Sequence, residues 1–539
     1  MSPWAPLRHR IFLAIFCAQL ASNMGTLMQN VGSSWLMGDL HASPTLVALV
    51  QTATFLPVLL VGVPAGALAD IMDRRRLLLA TQTWMMLTAA LLAGLSFAGM
   101  VTSTSLLALT FALGLGGAMN APAWQAIQPE LVPPNEFGQA IALGSLTYNV
   151  GRAVGPALGG LVVAAAGPGW VFALNAASFV GTVLVLLRWT PKPATSRLPV
   201  ESLSGATRAA LRYGANAPVL RGVLVRTGMI LLPASAVQAL LPIVVRGPLG
   251  LGSRGYGLLL GCFGVGAVTA ALLRPRIVQR LTPDQLVSTA SIVLALTLVT
   301  EGFVRSPWLV GLALAIGGVA WTSATITLNV AAASVLPSWV RARGMGLYML
   351  ALAGALAVGS ALWGALANWH LQWAHAAPAA VLLLTIVAGR RWSLARTLDL
   401  DVTTRPAADP LVSMTPQASD GPVLVTVEYE VGDGDMAEFV EVMRGVERHR
   451  RRTGSYQWGL FRDLSQPNHF RETFLVESWL EHLRQHQRYN SAGDLALVGR
   501  FRANGEPSQH HVSAYSTGAL EPIGMVGDAL HAPDGDHLD

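Results

Sequence analysis

A helix needs about 20 predominantly apolar residues to cross the hydrocarbon core of a bilayer, and this chain supplies stretches of that length one after another. Twelve can be placed, at 12–36, 44–69, 77–99, 104–122, 138–164, 168–188, 222–245, 254–273, 286–303, 307–329, 342–367 and 371–389. They are continuously apolar rather than alternating, so they read as helices that satisfy their own backbone hydrogen bonds inside lipid. The expected fold is an all-α membrane bundle. Composition agrees, because only 12% of the 539 residues are charged, against about 25% in soluble domains. Those charges gather at the ends of the spans and in the last quarter of the chain.

Arginine placement orients the bundle. If the N-terminus is cytoplasmic, that side receives Arg8, Arg10, Arg74 to Arg76, Arg188, Lys192, Arg197, Arg208, Arg212, Arg221, Arg274, Arg276, Arg280, Arg341, Arg343, Arg390, Arg391 and Arg396. The other side receives Arg246, Arg254 and Arg305. A bias of about six to one predicts a multi-pass protein with both termini in the cytoplasm. The net charge of +6 is thereby assigned to topology, with no nucleic-acid partner expected. The single lysine points to a GC-rich bacterial genome rather than to any chemistry. Cys17 and Cys262 both fall in apolar spans, which gives neither a disulfide framework nor metal-ligand spacing. The first apolar run is longer than a signal-peptide core and no small-residue cleavage site ends it. No phosphate-binding Gly-x-x-x-x-Gly-Lys-Ser/Thr loop occurs, so direct ATP hydrolysis is not expected, nor is any cofactor.

The spans divide into two halves that look related. Leu131-Val132-Pro133 precedes a helix that continues to Gly155-Pro156-Ala157-Leu158-Gly159-Gly160, and Val335-Leu336-Pro337 precedes one that continues to Gly359-Ser360-Ala361-Leu362-Trp363-Gly364. The proline-to-glycine spacing is the same, which suggests that span 5 is repeated as span 11. The expected domains are a six-helix half (1–188), a cytoplasmic linker (189–220), and a second six-helix half (221–396). The linker includes an amphipathic segment near Leu203 to Tyr213 suited to a membrane surface. Residues 397–420 are rich in Asp, Thr, Pro and Ser and read as a flexible connection. Beyond them, strand patterns at 423–430, 456–462, 471–476 and 510–515 alternate with helical patterns at 436–450, 479–487 and 492–502. That order predicts a small cytoplasmic α+β domain of ferredoxin-like type over 421–520, followed by a tail at 521–539.

Between the second and third spans runs Gly66-Ala-Leu-Ala-Asp70-Ile-Met-Asp73-Arg74-Arg75-Arg76. A Gly-x-x-x-Asp with trailing arginines in a short loop resembles the loop signature of the major facilitator superfamily. Asp73 departs from it, standing where that pattern usually has glycine. Gly66 lacks a Cβ and lets helices approach closely, Asp70 can accept from a neighbouring helix N-terminus, and Arg74 and Arg75 hold the loop at the cytoplasmic side. The runs 120–133, 149–160, 454–463 and 472–488 are similar to a bacterial subfamily related to the exporter of the siderophore enterobactin, the transmembrane secretion effectors. The resemblance spans nearly the whole chain. It implies a secondary transporter in the bacterial inner membrane whose gating loop carries Gly66, Asp70, Arg74 and Arg75.

Polar side chains within hydrocarbon are costly unless they face a cavity or a partner. Gln19, Asn23, Asn30 and Ser34 share a face of span 1; Ser145, Asn149 and Arg152 share one in span 5, with Tyr148 a turn before Arg152; and Trp321, Thr325 and Asn329 share one in span 10. The resemblance implies that spans 1, 4, 7 and 10 line a central cavity adjoined by span 5, so these stripes form the expected substrate pathway. Interhelical hydrogen bonding is the competing reading for the amides and hydroxyls. Arg152, near the middle of its span, is expected to attract an anionic or catechol-like solute, with a structural ion pair to a distant acid as the competing reading. Arg226, at the start of span 7, is expected to reach the interface. The acids Asp39, Asp70, Glu130, Glu136 and Glu301 all fall at span ends or in loops, so proton coupling is implied by the family without a carrier residue.

In the tail domain His482 and His486 have metal-ligand spacing that His510 and His511 could complete, but the interleaved Glu481, Arg484 and Arg488 favour a solvated face. Trp458, Trp479 and Asn490 are candidates for a small aromatic pocket. Arg444, Arg448, Arg450, Arg451 and Arg452 form a basic cluster read as a solvated face. The function expected is proton-driven export of a small siderophore-like or amphiphilic compound by alternating access, not enzymatic catalysis. An importer of the same fold and a membrane-anchored sensor or enzyme acting through the tail are the alternatives. Bilayer and solute are the expected partners, and the oligomeric state is left open.

Overall fold

The computed structural model describes residues 4–189, 203–337, 339–394, 417–432, 434–487, 501 and 509–513. Its first compact unit, residues 1–403, holds thirteen α-helices among the described residues. They are α1 Arg10–Asp39, α2 Pro44–Ile71, α3 Arg74–Phe97, α4 Ser103–Leu131, α5 Phe137–Ala166, α6 Pro168–Arg188, α7 Leu203–Asn216, α8 Pro218–Arg246, α9 Ser253–Arg280, α10 Pro283–Phe303, α11 Pro307–Ser334, α12 Arg341–Ala367 and α13 Leu371–Gly389. Among the described residues eleven are long and apolar enough to cross a membrane, and α5 contributes the shorter apolar stretch Val150–Ala166.

The helix starts follow local chemistry. Proline opens α2, α6, α8, α10 and α11, where its missing N–H and fixed φ cost nothing. Thr102 with Ser105 and Thr282 with Gln285 form reciprocal capping boxes before α4 and α10. Interior prolines such as Pro57, Pro64, Pro233 and Pro242 do not end their helices, a tolerance typical of helices packed among others in lipid. Leucines such as Leu60, Leu91, Leu272, Leu312 and Leu384 lie exposed on the outer surface, suited to acyl chains rather than water. Phe97, Trp170, Phe303, Trp308, Trp369 and Trp373 are exposed near one set of helix ends, as in an interfacial aromatic belt. This is the arginine-poor end of the bundle; Arg74 to Arg76 mark the other.

The packing repeats. α1 lies against α5 and α6, α3 against α4 and α6, and α2 against α4; six long helices later, α8 lies against α12 and α13, α10 against α11 and α13, and α9 against α11. The two sets meet where α2 runs along α12 and α5 along α9. The short α7 packs on α2, α8 and α12, and Tyr213 is buried there, donating its hydroxyl to the Val335 carbonyl at 3.2 Å. The expected surface helix is thus docked on the bundle.

The second unit, from residue 404 onward, contains β1 Val423–Glu430, α14 Met436–Thr453, β2 Gln457–Arg462, β3 His469–Val476, α15 Trp479–Gln487 and β4 Gln509–Ser513. The sheet order is β2-β3-β1-β4, with every neighbouring pair antiparallel. Val423, Val425, Val427 and Tyr429 alternate inward along β1 and pack with Phe439, Met443 and Val446 of α14 and with Phe470 and Phe474 of β3. Of the linker expected at 397–420 only 417–420 are described, and of the helix expected at 492–502 only residue 501; the tail at 521–539 lies outside the described residues.

Candidate transport pathway

The loop between α2 and α3 contains only Met72 and Asp73. Asp73 caps α3, its Oδ1 accepting from the Arg76 N–H at 2.8 Å. The residue that departs from the signature therefore satisfies one of the orphan donors of the helix start. Arg74 bridges to Glu130 near the end of α4, and Arg75 donates through Nε to the Leu186 carbonyl at 2.9 Å and through Nη2 to that of Leu187, at the end of α6. The arginines thus tie three helices together at this end. A Cβ added at Gly66 would meet no atom within 4 Å, so close approach does not require glycine there in this conformation. The Asp70 side chain lies outside the described residues.

Deeper in the bundle Gln19 donates to Asn23 at 3.2 Å, and Asn23 donates to Thr147 of α5 at 3.1 Å. Arg152 places its guanidinium carbon 5.5 Å from the centroid of the Phe263 ring on α9, within cation–π range. Phe263 meets Trp321 of α11 edge-on at 5.9 Å. The geometry therefore brings Arg152 and Trp321 to one aromatic pair, although Trp321 is itself buried in the hydrophobic core. Thr325 bonds back to the Trp321 and Thr322 carbonyls of its own helix, and its carbonyl accepts from the Tyr348 hydroxyl. Asn30 and Asn329 are half-buried. The side chains of Tyr148 and Asn149 lie outside the described residues. A buried amide pair, Asn175 on α6 with Gln29 on α1, was not singled out by the stripes, because Gln29 falls off the face that carries Asn23 and Asn30.

Among the described residues, hydrogen bonds joining the first six long helices to the last six gather at the arginine-poor end. Arg246 of α8 reaches across to the Asp39 carboxylate of α1 at 2.7 Å and the Trp35 carbonyl at 3.1 Å, and lies 4.3 Å from the Trp35 ring centroid. Thr45 of α2 and Asn368 following α12 exchange two hydrogen bonds, and Thr52 donates to the Ala357 carbonyl. Where α5 crosses α9, a Cβ on Gly160 would come within 2.7 Å of the Gly257 Cα. Near the arginine-rich end Arg226 does not reach the interface as expected. It is buried, pairs with Asp284 of α10 and donates to the Trp392 carbonyl, while Asp284 also accepts from Ser393 and the Leu394 N–H. A neighbouring helix supplied the acid, so span position alone gave the wrong environment.

The second unit also corrects the surface readings. Arg450 is not solvated: it forms two bonds, at 2.9 and 3.2 Å, to the fully buried Glu472, which also accepts from Tyr429 at 2.8 Å and Trp458 at 2.9 Å. Burial alone would raise the Glu472 carboxyl, but the Arg450 charge and three hydrogen-bonding side chains outweigh it and hold it below the usual carboxylate range. His482, Gln485, His486 and Glu481 are likewise buried rather than solvated, and Trp479 belongs to the core. His482 and His486 stack edge-on at 4.7 Å. Among the described residues no three His, Cys, Asp or Glu side chains converge on a metal position; the side chains of His510 and His511, and Asn490, lie outside them.

His449, also buried, is pushed down to about 3, first by burial and then by the charges of Arg452 and Arg450. An unfolded histidine takes up a proton below about pH 6.5, whereas folded His449 does so only near pH 3. Stability from this group is complete above pH 6.5 and declines as pH falls. Between pH 7 and pH 5 the unit is expected to lose about 2 kcal/mol, and His449→Gln to flatten that loss, read by denaturant unfolding followed through tryptophan emission.

Two repeated sets of apolar helices, joined by polar clasps at one end and crossed by a half-buried amide and arginine stripe, define a polytopic membrane transporter bundle. The chain belongs to the transmembrane secretion effector family of major facilitator transporters, whose model matches residues 1–515. It is 28% identical over 332 residues to the enterobactin exporter EntS of Salmonella typhimurium, covering 59% of this chain and 76% of that one. It is 23% identical over 263 residues to the staphyloferrin A transporter of Staphylococcus aureus, covering 48% of this chain and 64% of that protein, less than two thirds of its length. Among solved structures it resembles a POT family transporter (TM-score 0.57, 13% identity, 71% of this chain and 97% of that one) and the nucleoside transporter NupG (TM-score 0.54, 12% identity, 72% and 100%). These likenesses establish the fold.

Proposed function

We propose that the protein is a proton-driven exporter of a small anionic or amphiphilic compound, of siderophore-like chemistry, in the bacterial inner membrane. The observation that carries the reading is the repeated packing of two helix sets clasped at the arginine-poor end. Alternating access needs two halves that hinge about a central site, and spans 1–6 and 7–12, over 1–188 and 221–396, supply them. Positive-inside bias puts both termini and the arginine-rich end in the cytoplasm, so a clasp at the other end corresponds to an inward-facing state. The substrate stripe of Gln19, Asn23, Asn30, Tyr148, Asn149, Arg152, Trp321, Thr325 and Asn329 would bind the solute, and the Gly66, Asp70, Arg74 and Arg75 loop would gate the cytoplasmic end. The names of the siderophore-transporting relatives support a chelating anion as cargo. The tail unit, with the strand order of a ferredoxin-like fold, fits a docking or regulatory role.

Arg152→Ala tests the pathway. A charge-assisted contact is worth about 1.5–3 kcal/mol, so efflux of a catecholate siderophore from expressing cells should fall about tenfold to a hundredfold at equal membrane abundance. Lipophilic dyes assayed in parallel would show whether the charge matters only for anions. Unchanged efflux of every compound the wild type exports would remove Arg152 from the pathway.

A further inference from the structure

Glu301 of α10 and His375 of α13 are both completely buried. The sequence placed Glu301 at a span end, yet two residues before the helix terminus at exposed Phe303 its side chain is enclosed by the bundle. The His375 Nδ1–H donates to the Leu371 carbonyl at 2.8 Å, which turns Nε2 towards Glu301, 3.8 Å from its Oε2. Neither carboxyl oxygen has a hydrogen-bond partner, nor has Nε2. His375 packs this closely because residue 302 is glycine; a Cβ there would lie 2.8 Å from that of His375.

A lone carboxylate or imidazolium in such a place carries a large desolvation cost. A pair that carries one proton in total avoids it. Losing that proton leaves a bare carboxylate, and gaining a second leaves a bare imidazolium. The other charges nearby do not neutralise it: Arg305, in the turn after α10, acts on His375 with its charge and donates to the Gly302 carbonyl. On α8, Arg226 is engaged by Asp284 and Arg246 by Asp39. α11 carries no titratable group, and α13 none besides His375. Both α10 and α13 pack on α8, whose end on the same arginine-poor side carries the Arg246 clasp.

We propose that Glu301 and His375 together bind the proton that the transporter exchanges for solute, loaded from the arginine-poor side. The proposal rests on the exporter reading above. One proton arrives from water at that face, is held on the Glu301–His375 pair, and is returned to water on the other side as the open end alternates.

The test uses inverted membrane vesicles, in which the arginine-poor face lines the lumen, with a catecholate siderophore as probe and an imposed acid-inside gradient. Wild type should concentrate the probe. Glu301→Gln should lose gradient-driven accumulation by about tenfold or more while still equilibrating the probe without a gradient. Gradient-driven accumulation by Glu301→Gln at the wild-type level would overturn the assignment and leave the exporter reading standing. Wild-type accumulation indifferent to the gradient would overturn both. Should Glu301→Gln misfold, infrared pH titration of the purified full chain decides: a carboxyl band altered by His375→Asn supports the shared proton, and a spectrum identical in the two proteins overturns it.

Discussion

Leucine at Gly160 is expected to abolish transport while leaving the protein folded and in the membrane. Gly160 meets the Gly257 backbone where α5 crosses α9, with room for no Cβ. Overpacking such a contact costs about 1–3 kcal/mol. Each 1.4 kcal/mol is about a tenfold shift in a conformational equilibrium, so closure of the arginine-poor end should become about ten to a hundred times rarer. Oxidative cross-linking of cysteines placed at Asp39 and Arg246 measures that closure, and its rate should fall with transport in the Gly160→Leu background. A cross-linking rate equal to that of the parent pair would show that this crossing does not control the end of the bundle.

Alanine at Glu472 is expected to have the largest effect on the second unit. It removes the buried carboxylate to which Arg450, Trp458 and Tyr429 all donate, and breaking a buried pair from one side costs about 3–5 kcal/mol. Small domains have only about 5–15 kcal/mol in total. Limited proteolysis of the full chain should therefore remove residues beyond 420 readily in Glu472→Ala while the helical unit persists. Protease resistance equal to the wild type would mean that the network contributes little. The same carboxylate gives an acid sensitivity: held low in the folded state, it contributes fully above the unfolded value of about 4.3 and is lost as pH falls through the folded one.

The bundle was legible because lipid imposes a length and a polarity on each span, and hardly any other arrangement satisfies both. Predicted and observed limits of spans 6 and 12 coincide at 168–188 and 371–389. The errors came where a partner arrives from a distant element. Nothing near Arg226 in the sequence points to Asp284, and nothing near Arg450 points to Glu472, so one reads as interfacial and the other as solvated. Glu301 looks harmless at the end of its span until His375 of another helix is packed against it. Asp73 is different: an Asp three residues before Arg76 at a helix start is a local capping signal, available from the sequence but overshadowed by the loop signature in which it is an exception. The solute is less legible still, since Gln19 bonds to Asn23 and Asn23 to Thr147 in ways that serve packing and recognition equally.

The most direct test of the account is transport by the purified full-length protein alone, reconstituted in liposomes with an imposed proton gradient and a catecholate siderophore. Concentrative movement of the siderophore opposite to the proton flow, collapsing when a protonophore is added, is the predicted result. Siderophore movement that ignores the gradient, or a reconstituted, folded protein that moves no compound in either direction, would contradict it.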